Sequence, residues 1–80
     1  MKIKDAVCKR FEGILKERNI KINELANLSG VTPSTVYSML DKSRRDISIT
    51  TIKRLCDGLD ITLGEFFSTE DFEKIEQEIE

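Results

Sequence analysis

Apolar residues recur three or four positions apart along the first 67 residues, which is the spacing of helices that bury one face. In the first such stretch, charged residues fill the positions between the apolar ones. The pattern therefore predicts an amphipathic helix over residues 3–18 that ends at Asn19. Its buried positions are Ile3, Val7, Phe11, Ile14 and Leu15.

Two further helices are predicted by residues 25–40, which read LANLSGVTPSTVYSML. Gly30 allows a helix to end in a left-handed conformation, Thr32 is a good N-cap, and Pro33 is favoured at the first helical position. We therefore predict a short second helix that ends at Gly30, a tight turn, and a third helix over residues 33–41. The third helix has Val36, Met39 and Leu40 on its inner face.

The next segment, DKSRRDI at residues 41–47, has no periodicity and many turn-forming residues, so we predict a loop. Ser48 then caps a fourth helix and Thr62 a short fifth one. No stretch alternates polar and apolar residues long enough to predict a strand. The fold is therefore predicted to be all-α, with five helices in one compact domain over residues 1–68. The buried positions of the last two helices are Ile49, Ile52, Leu55, Cys56, Leu59, Leu63, Phe66 and Phe67.

The last twelve residues, TEDFEKIEQEIE at 69–80, form a separate acidic segment with six acids and one lysine. Ser68 and Asp71 have the spacing of a capping box, and Phe72, Ile75 and Ile79 form a narrow apolar stripe. We predict an acidic amphipathic C-terminal helix or tail. It either packs onto the domain or forms an interface with a second copy or with another protein.

The residue types of the chain argue against catalysis and against metal binding. The chain of 80 residues contains no histidine, and its two cysteines lie 48 positions apart with no CxxC spacing. A zinc site lacks its usual ligands, and no phosphate-binding glycine motif is present. We therefore predict a protein that is not an enzyme, binds no metal and needs no cofactor, with both cysteines reduced and buried.

The sequence also contains no run of about 18 apolar residues and no pattern typical of a secretory signal peptide. We expect a cytoplasmic protein without a membrane partner.

Charge is distributed unevenly along the chain. The net charge is −2, but residues 69–80 carry −5, whereas residues 1–68 carry twelve basic and nine acidic residues, or +3. The predicted domain is thus weakly basic, which is compatible with an anionic partner such as nucleic acid.

Residues 14–67 resemble the helix-turn-helix family of the Cro and phage-repressor type, the XRE family of bacterial transcriptional regulators. The resemblance rests on Leu25-Ala26, Gly30-Val31-Thr32 and Ser34-Thr35-Val36, and on the string ISITTIKRLCDGLDITLGEFF that follows the basic loop. It implies a repressor-like DNA-binding domain of a bacterium or phage, in which helices two and three form the helix-turn-helix. It also implies double-stranded DNA as the partner and a homodimer on that DNA.

In this family the third helix enters the major groove with its N-terminal residues foremost. At Ile22, family members often have a glutamine that reaches a phosphate, so that contact is expected from Lys21 and from the N-terminus of the helix instead. The residues expected at the bases or in the groove are Thr32, Pro33, Ser34, Thr35, Tyr37 and Ser38. The residues expected at phosphates are Lys21, Lys42, Arg44 and Arg45, and those expected at a dimer or partner interface are Phe72, Ile75 and Ile79.

Each of these residues also has a purely structural interpretation. Thr32 and Pro33 are needed to start a helix in any case, and exposed serines are common. Tyr37 either contacts DNA or packs against the loop, and the basic loop is either solvated or bound to phosphates.

We thus predict a sequence-specific DNA-binding transcriptional regulator, a repressor, that places residues 33–41 in the major groove. The alternative is a protein-interaction module of the antitoxin or antirepressor type, in which the same scaffold and the acidic tail hold a protein partner.

Overall fold

The computed structural model describes residues 1–79, and within these residues it contains six helices and no strand. This confirms the predicted all-α fold: five helices lie within residues 1–68 and a short sixth one follows them. The helices are α1 (Ile3–Arg18), α2 (Ile22–Ser29), α3 (Pro33–Leu40), α4 (Ile49–Gly58), α5 (Leu63–Phe66) and α6 (Glu70–Glu73).

The turn between α2 and α3 is closed by Gly30, whose φ of 68° is left-handed. The N–H of Gly30 donates to the carbonyl of Asn27 at 3.3 Å, and the N–H of Val31 donates to that of Ala26 at 3.1 Å. These two bonds pair the last carbonyls of α2 and turn the chain at once into α3. Asn19 ends α1 in the same left-handed way, with a φ of 55°.

Three helices begin at a hydroxyl N-cap, as the sequence predicts. Thr32, Ser48 and Thr62 each accept a hydrogen bond from the backbone N–H three residues later. Thr62 also forms a full capping box, because its own N–H donates to the carboxylate of Glu65 at 3.0 Å.

The core is one apolar cluster to which the first five helices contribute, with α2 packed against both α3 and α4. Its fully buried side chains include Phe11, Leu25, Val36, Leu55 and Phe66. Ile49, predicted to be buried, is 61% exposed, because it is the first residue of α4 and does not belong to this cluster. The residues predicted for the inner faces of α1 and α3 are buried, except Ile3 and Leu40, which are partly buried and pack against this cluster.

The capping box predicted at Ser68 and Asp71 is wrong. Ser68 donates its hydroxyl to the carbonyl of Glu65 at 2.8 Å, and the N-cap of α6 is Thr69, which accepts no side-chain hydrogen bond. The helix ends after one turn, so the predicted stripe does not form one helical face. Acidic residues at the C-terminal end of a helix oppose its dipole, which disfavours continuation of α6 into residues 74–79. Glu80, the last residue of the predicted tail, lies outside the described residues.

The segment of residues 69–79, hereafter the tail, lies along α1. The N–H of Glu76 donates to the carbonyl of Met1 at 2.9 Å, and the carboxylate of Glu76 lies 3.7 Å from Nζ of Lys2. Further along α1, Nζ of Lys9 lies 3.4 Å from the carboxylate of Asp71. Acidic side chains of the tail thus form ion pairs with lysines at the start of α1 and within it.

Both cysteines are free thiols and are buried, as predicted. Burial is the main cause that raises the pKa of Cys8 and of Cys56. Each therefore remains a neutral thiol at neutral pH and packs as a small apolar side chain.

No helix within residues 1–79 combines the length and the apolar character needed to cross a bilayer.

Candidate nucleic-acid interface

Helix α3 is anchored by one face and leaves the other open. Val36 and Met39 are buried in the core, which fixes the rotation of the helix. Tyr37 on the opposite side is 57% exposed, although it is a large aromatic residue. Of the other residues predicted to contact DNA, Thr32, Pro33 and Ser34 are exposed, and Thr35 and Ser38 are half-buried.

The hydroxyl groups at the start of α3 form a cluster around Thr32. Its Oγ1 accepts the N–H of Thr35 at 3.3 Å and lies 2.9 Å from Oγ of Ser34 and 3.0 Å from Oγ1 of Thr35. Thr32 is therefore engaged as the N-cap. Each hydroxyl retains further donor or acceptor capacity for a ligand, because a hydroxyl has one proton and two lone pairs.

A tight turn follows α3 at Asp41. Its carboxylate accepts the N–H of Ser43 at 2.9 Å and the Ser43 hydroxyl at 2.8 Å. The hydrogen bond from the Ser43 backbone is the main cause that holds the pKa of Asp41 below its usual range. The N–H of Arg44 donates to the carbonyl of Asp41 at 3.1 Å, which completes the turn.

This turn brings Arg44 to one side of a groove of about 300 Å³ that lies next to α3. Ser34 and Ser38 line the groove from α3, and Ser48 and Thr51 line it from the start of α4. The structure thus places one of the predicted phosphate-binding residues beside the predicted base-contacting serines.

The other basic residues of the loop lie elsewhere. Nη2 of Arg45 is 3.6 Å from the carboxylate of Asp5 on α1, so this side chain lies against α1 and away from the groove. Lys42 is exposed and lines a hollow with Cys8 and Glu12 of α1. The structure does not bring Lys42 or Arg45 together with Arg44 in the groove.

Lys21 lies at the N-cap of α2, where it is exposed and provides no side-chain cap for the helix. The first backbone N–H groups of α2 thus lack a side-chain acceptor at the positive end of the helix dipole. Such a helix end favours an anion, and the adjacent ammonium group adds positive charge.

The sequence does not predict that the start of α4 forms the other side of the groove. Ser48 was identified as a cap, but nothing in the local sequence indicates that the start of α4 lies opposite α3. Thr51 and Asp46 also line the groove. The only sequence signal was the hydroxyl-rich string SITT at residues 48–51, which is equally typical of a helix start.

The three apolar residues of the tail have different environments. The ring of Phe72 packs against Phe67, with centroids 4.8 Å apart, and against Phe66 at 5.8 Å. Phe72 therefore packs against the apolar core of this chain. Ile75 is half-buried, whereas Ile79 is 82% exposed.

Within residues 1–79, no three side chains of the histidine, cysteine, aspartate or glutamate type are grouped so that they could hold a metal ion.

Comparison with known proteins identifies the family and the fold. A family model described as a Cro/C1-type HTH DNA-binding domain matches residues 10–71. No curated protein matches the sequence significantly. The crystal structure of the prophage Lp1 protein 11 has the same fold, with a TM-score of 0.80 and 29% sequence identity, over 94% of this chain and 100% of that one.

Proposed function

Since the chain belongs to the Cro/C1-type HTH family of DNA-binding domains, we propose that it is a sequence-specific transcriptional repressor. It acts in the cytoplasm by occupying a site on double-stranded DNA rather than by chemistry. Helix α3 enters the major groove with its N-terminal residues foremost, and α2 lies across the backbone.

One observation carries this proposal, namely the unpartnered outer face of α3. Tyr37 is 57% exposed on a helix whose opposite side is fully buried at Val36. An aromatic side chain left in solvent on such a short helix is explained by a partner that covers it. The major groove of B-DNA is wide enough to admit a helix with these side chains.

The chemistry of this face predicts modest readout of individual bases. Helix α3 contains no arginine, asparagine or glutamine, so it lacks the side chains that bind guanine or adenine through two hydrogen bonds. Ser34 and Ser38 bond any of several bases, and the ring of Tyr37 suits the methyl group of thymine. We infer that DNA shape and flexibility contribute much of the sequence preference.

Phosphate contacts surround this face in the proposed complex. Arg44 across the groove and Lys21 at the start of α2 bind the backbone on either side of α3. Lys42 and Arg45 contribute from further away. The pair of Arg45 with Asp5 is exposed and therefore costs little to exchange for a phosphate.

Two copies bind together in this proposal. A copy with weak base contacts gains both affinity and specificity when a second copy of the chain occupies the next major groove, about 34 Å away. The exposed Ile79 and the half-buried Ile75 supply apolar surface for such a contact, whereas Phe72 packs against the core of its own chain.

The experiment that tests this function is selection of bound duplexes from a random DNA pool by the purified protein at moderate salt, followed by sequencing. We expect an enriched inverted repeat whose half-sites lie about one helical turn apart. A variant with Ser34→Ala, Tyr37→Ala and Ser38→Ala should lose the enrichment but keep its helical content.

Failure to enrich any sequence would overturn the proposal. In that case the scaffold would serve the alternative function of holding a protein partner, and the tail would be the surface to examine.

A further inference from the structure

Lys4 is a charged residue of α1 that is only 2% exposed. An ammonium group removed from water is strongly destabilising unless its protons are bonded. Its Nζ donates to the carbonyl of Asp41 and to the carbonyl of Arg44, each at 2.8 Å. Both acceptors belong to the turn that follows α3, so the cost of burial is offset in that turn.

Helix α3 needs such a partner because its own sequence does not cap its C-terminus. It has no basic residue in its last turn, and Asp41 at its C-cap is extended rather than left-handed. The last carbonyls of a helix must otherwise find external donors, and positive charge is favourable at this end. Cys8, one turn after Lys4 on α1, donates its thiol to the carbonyl of Met39 at 3.6 Å. Helix α1 therefore caps α3 from the side.

We propose that Lys4 is a positioning residue for DNA binding, whose ammonium group fixes the turn at residues 41–44 so that Arg44 is held beside the groove. This inference rests on the proposed function. Lys4 itself contacts no DNA, because its Nζ is enclosed by the carbonyls that it binds. It acts by keeping Arg44 at the place where a phosphate binds, so that without Lys4 the turn is free to move and the phosphate contact of Arg44 is not formed.

The local hydrogen bonds of the turn are insufficient for this task. The bonds of Asp41 to Ser43 close the turn, and the N–H of Asp41 donates to the carbonyl of Ser38 at 3.2 Å, but these bonds do not hold the Arg44 end of the turn. The side chains of Asp41 and Arg44 are 3.9 Å apart on the exposed surface. Lys4 is the group that ties both ends of the turn to another helix.

The test compares Lys4→Met with Lys9→Met in the full chain. Both variants remove one positive charge from α1, but Lys9 is exposed and pairs with Asp71 of the tail. In Lys4→Met we expect the backbone amide of Arg44 to lose its protection from hydrogen exchange. We also expect DNA binding to weaken about three- to tenfold, and the salt dependence of binding to fall by about one unit because the Arg44 contact is lost. Lys9→Met should leave all three readouts near wild type.

A double-mutant cycle separates positioning from general loss of stability. If Lys4 acts through Arg44, Lys4→Met should have little further effect on DNA binding when Arg44→Ala is already present. Fully additive losses in affinity, or an unchanged salt slope in a folded Lys4→Met protein, would overturn the proposal. If the wild type binds no DNA at all, the proposed function fails, while the exchange measurement still tests whether Lys4 holds the turn.

A measurement on the wild-type protein covers the case in which Lys4→Met does not fold. Nuclear magnetic resonance should detect the ammonium protons of Lys4 as slowly exchanging signals, because two of them are bonded in a buried site. Rapid exchange equal to that of the exposed Lys9 would contradict the proposal.

Discussion

Neighbouring residues of the basic loop have different surroundings, although their side chains are chemically identical. Arg44 faces the groove beside α3, with only a distant contact to Asp41 at 3.9 Å. Arg45 lies against α1, where Asp5 holds it at 3.6 Å. Their contributions to DNA binding should therefore differ.

Arg44→Ala should weaken DNA binding about tenfold and reduce the salt slope by about one unit, because it removes a phosphate contact. Arg45→Ala should have a smaller effect, since Arg45 must first leave Asp5. Fluorescence anisotropy with the selected duplex at several salt concentrations measures both, and urea denaturation should show both variants within about 0.5 kcal/mol of wild type. Equal losses for the two variants would contradict this assignment.

Gly58 shows how one missing side chain allows two helices to meet. A Cβ at this position would lie 2.9 Å from the backbone nitrogen of Ser29 and 3.0 Å from the carbonyl carbon of Leu28. Helices α2 and α4 pack together only because this atom is absent. The approach also encloses Oγ of Ser29, which finds no hydrogen-bond partner within residues 1–79.

Gly58→Ala should destabilise the fold by about 1–3 kcal/mol, because the backbone of α2 has to move. The matched control is Gly13→Ala in α1, where a Cβ meets nothing within 4 Å. That change should stabilise the fold by about 0.5–1 kcal/mol through helix propensity. Urea denaturation of both variants tests the pair, and an equal gain at Gly58 would show that α2 and α4 are not in tight contact.

At the level of helices, most boundaries could be predicted because they depend on local chemistry. Asn19, Gly30 and Thr62 end or begin helices through bonds to residues that are close in sequence. The tail was predicted less well. Its stripe has helical spacing, but the spacing does not predict the packing of Phe72 on Phe66 or the effect of acidic residues that oppose the helix dipole at the end of α6.

The candidate site could also be predicted only in part from the sequence. The outer face of α3 follows from the burial of Val36 and Met39, which the spacing predicts. The orientation of the loop did not follow, since it depends on Lys4 and Asp5, which are about 40 residues earlier in the chain. Buried lysines are rare, so hydropathy alone places Lys4 in solvent.

Two carboxylates accept hydrogen bonds from backbone N–H groups. They should make the stability of the fold depend on pH in the acidic range. Hydrogen bonds from Ser43 lower the pKa of Asp41, and hydrogen bonds from Thr62 lower the pKa of Glu65. The pKa of such a carboxyl is about 4 in the unfolded chain. Because its pKa is lower in the folded state, the carboxyl stabilises the fold at pH values above the unfolded pKa. This contribution is lost as the pH falls through the lower folded value.

We therefore expect the free energy of unfolding of the wild type to fall between about pH 5 and pH 2. The double variant Asp41→Asn, Glu65→Gln keeps hydrogen-bond acceptors but removes both titrations, so its decrease should be shallower. Urea denaturation across this range measures the difference, and identical pH profiles would show that these two groups do not contribute.

The net charge of the whole molecule differs between its two parts. Residues 1–68 have a charge of +3, and residues 69–80 have −5. The tail lies on α1 through Lys2 and Lys9, so part of its negative charge is neutralised there. The remaining acids still repel an approaching polyanion within the Debye length.

Replacing Glu70, Glu73 and Glu78 by glutamine raises the net charge from −2 to +1. This variant should bind DNA faster and more tightly at low salt, with the advantage shrinking as salt rises. The matched control replaces the same three residues by aspartate, which keeps the charge and should bind as the wild type does. Stopped-flow association at two salt concentrations distinguishes them, and equal rates would mean that the tail lies too far from the DNA to act.

The two buried thiols make the folding of this molecule observable without any added label. Cys8 lies where α1 caps the end of α3, whereas Cys56 is fully enclosed in α4. An alkylating reagent reaches a thiol only when the surrounding structure opens. The reaction rate of Cys8 therefore reports the detachment of α1 from the end of α3, and that of Cys56 reports the opening of the whole core.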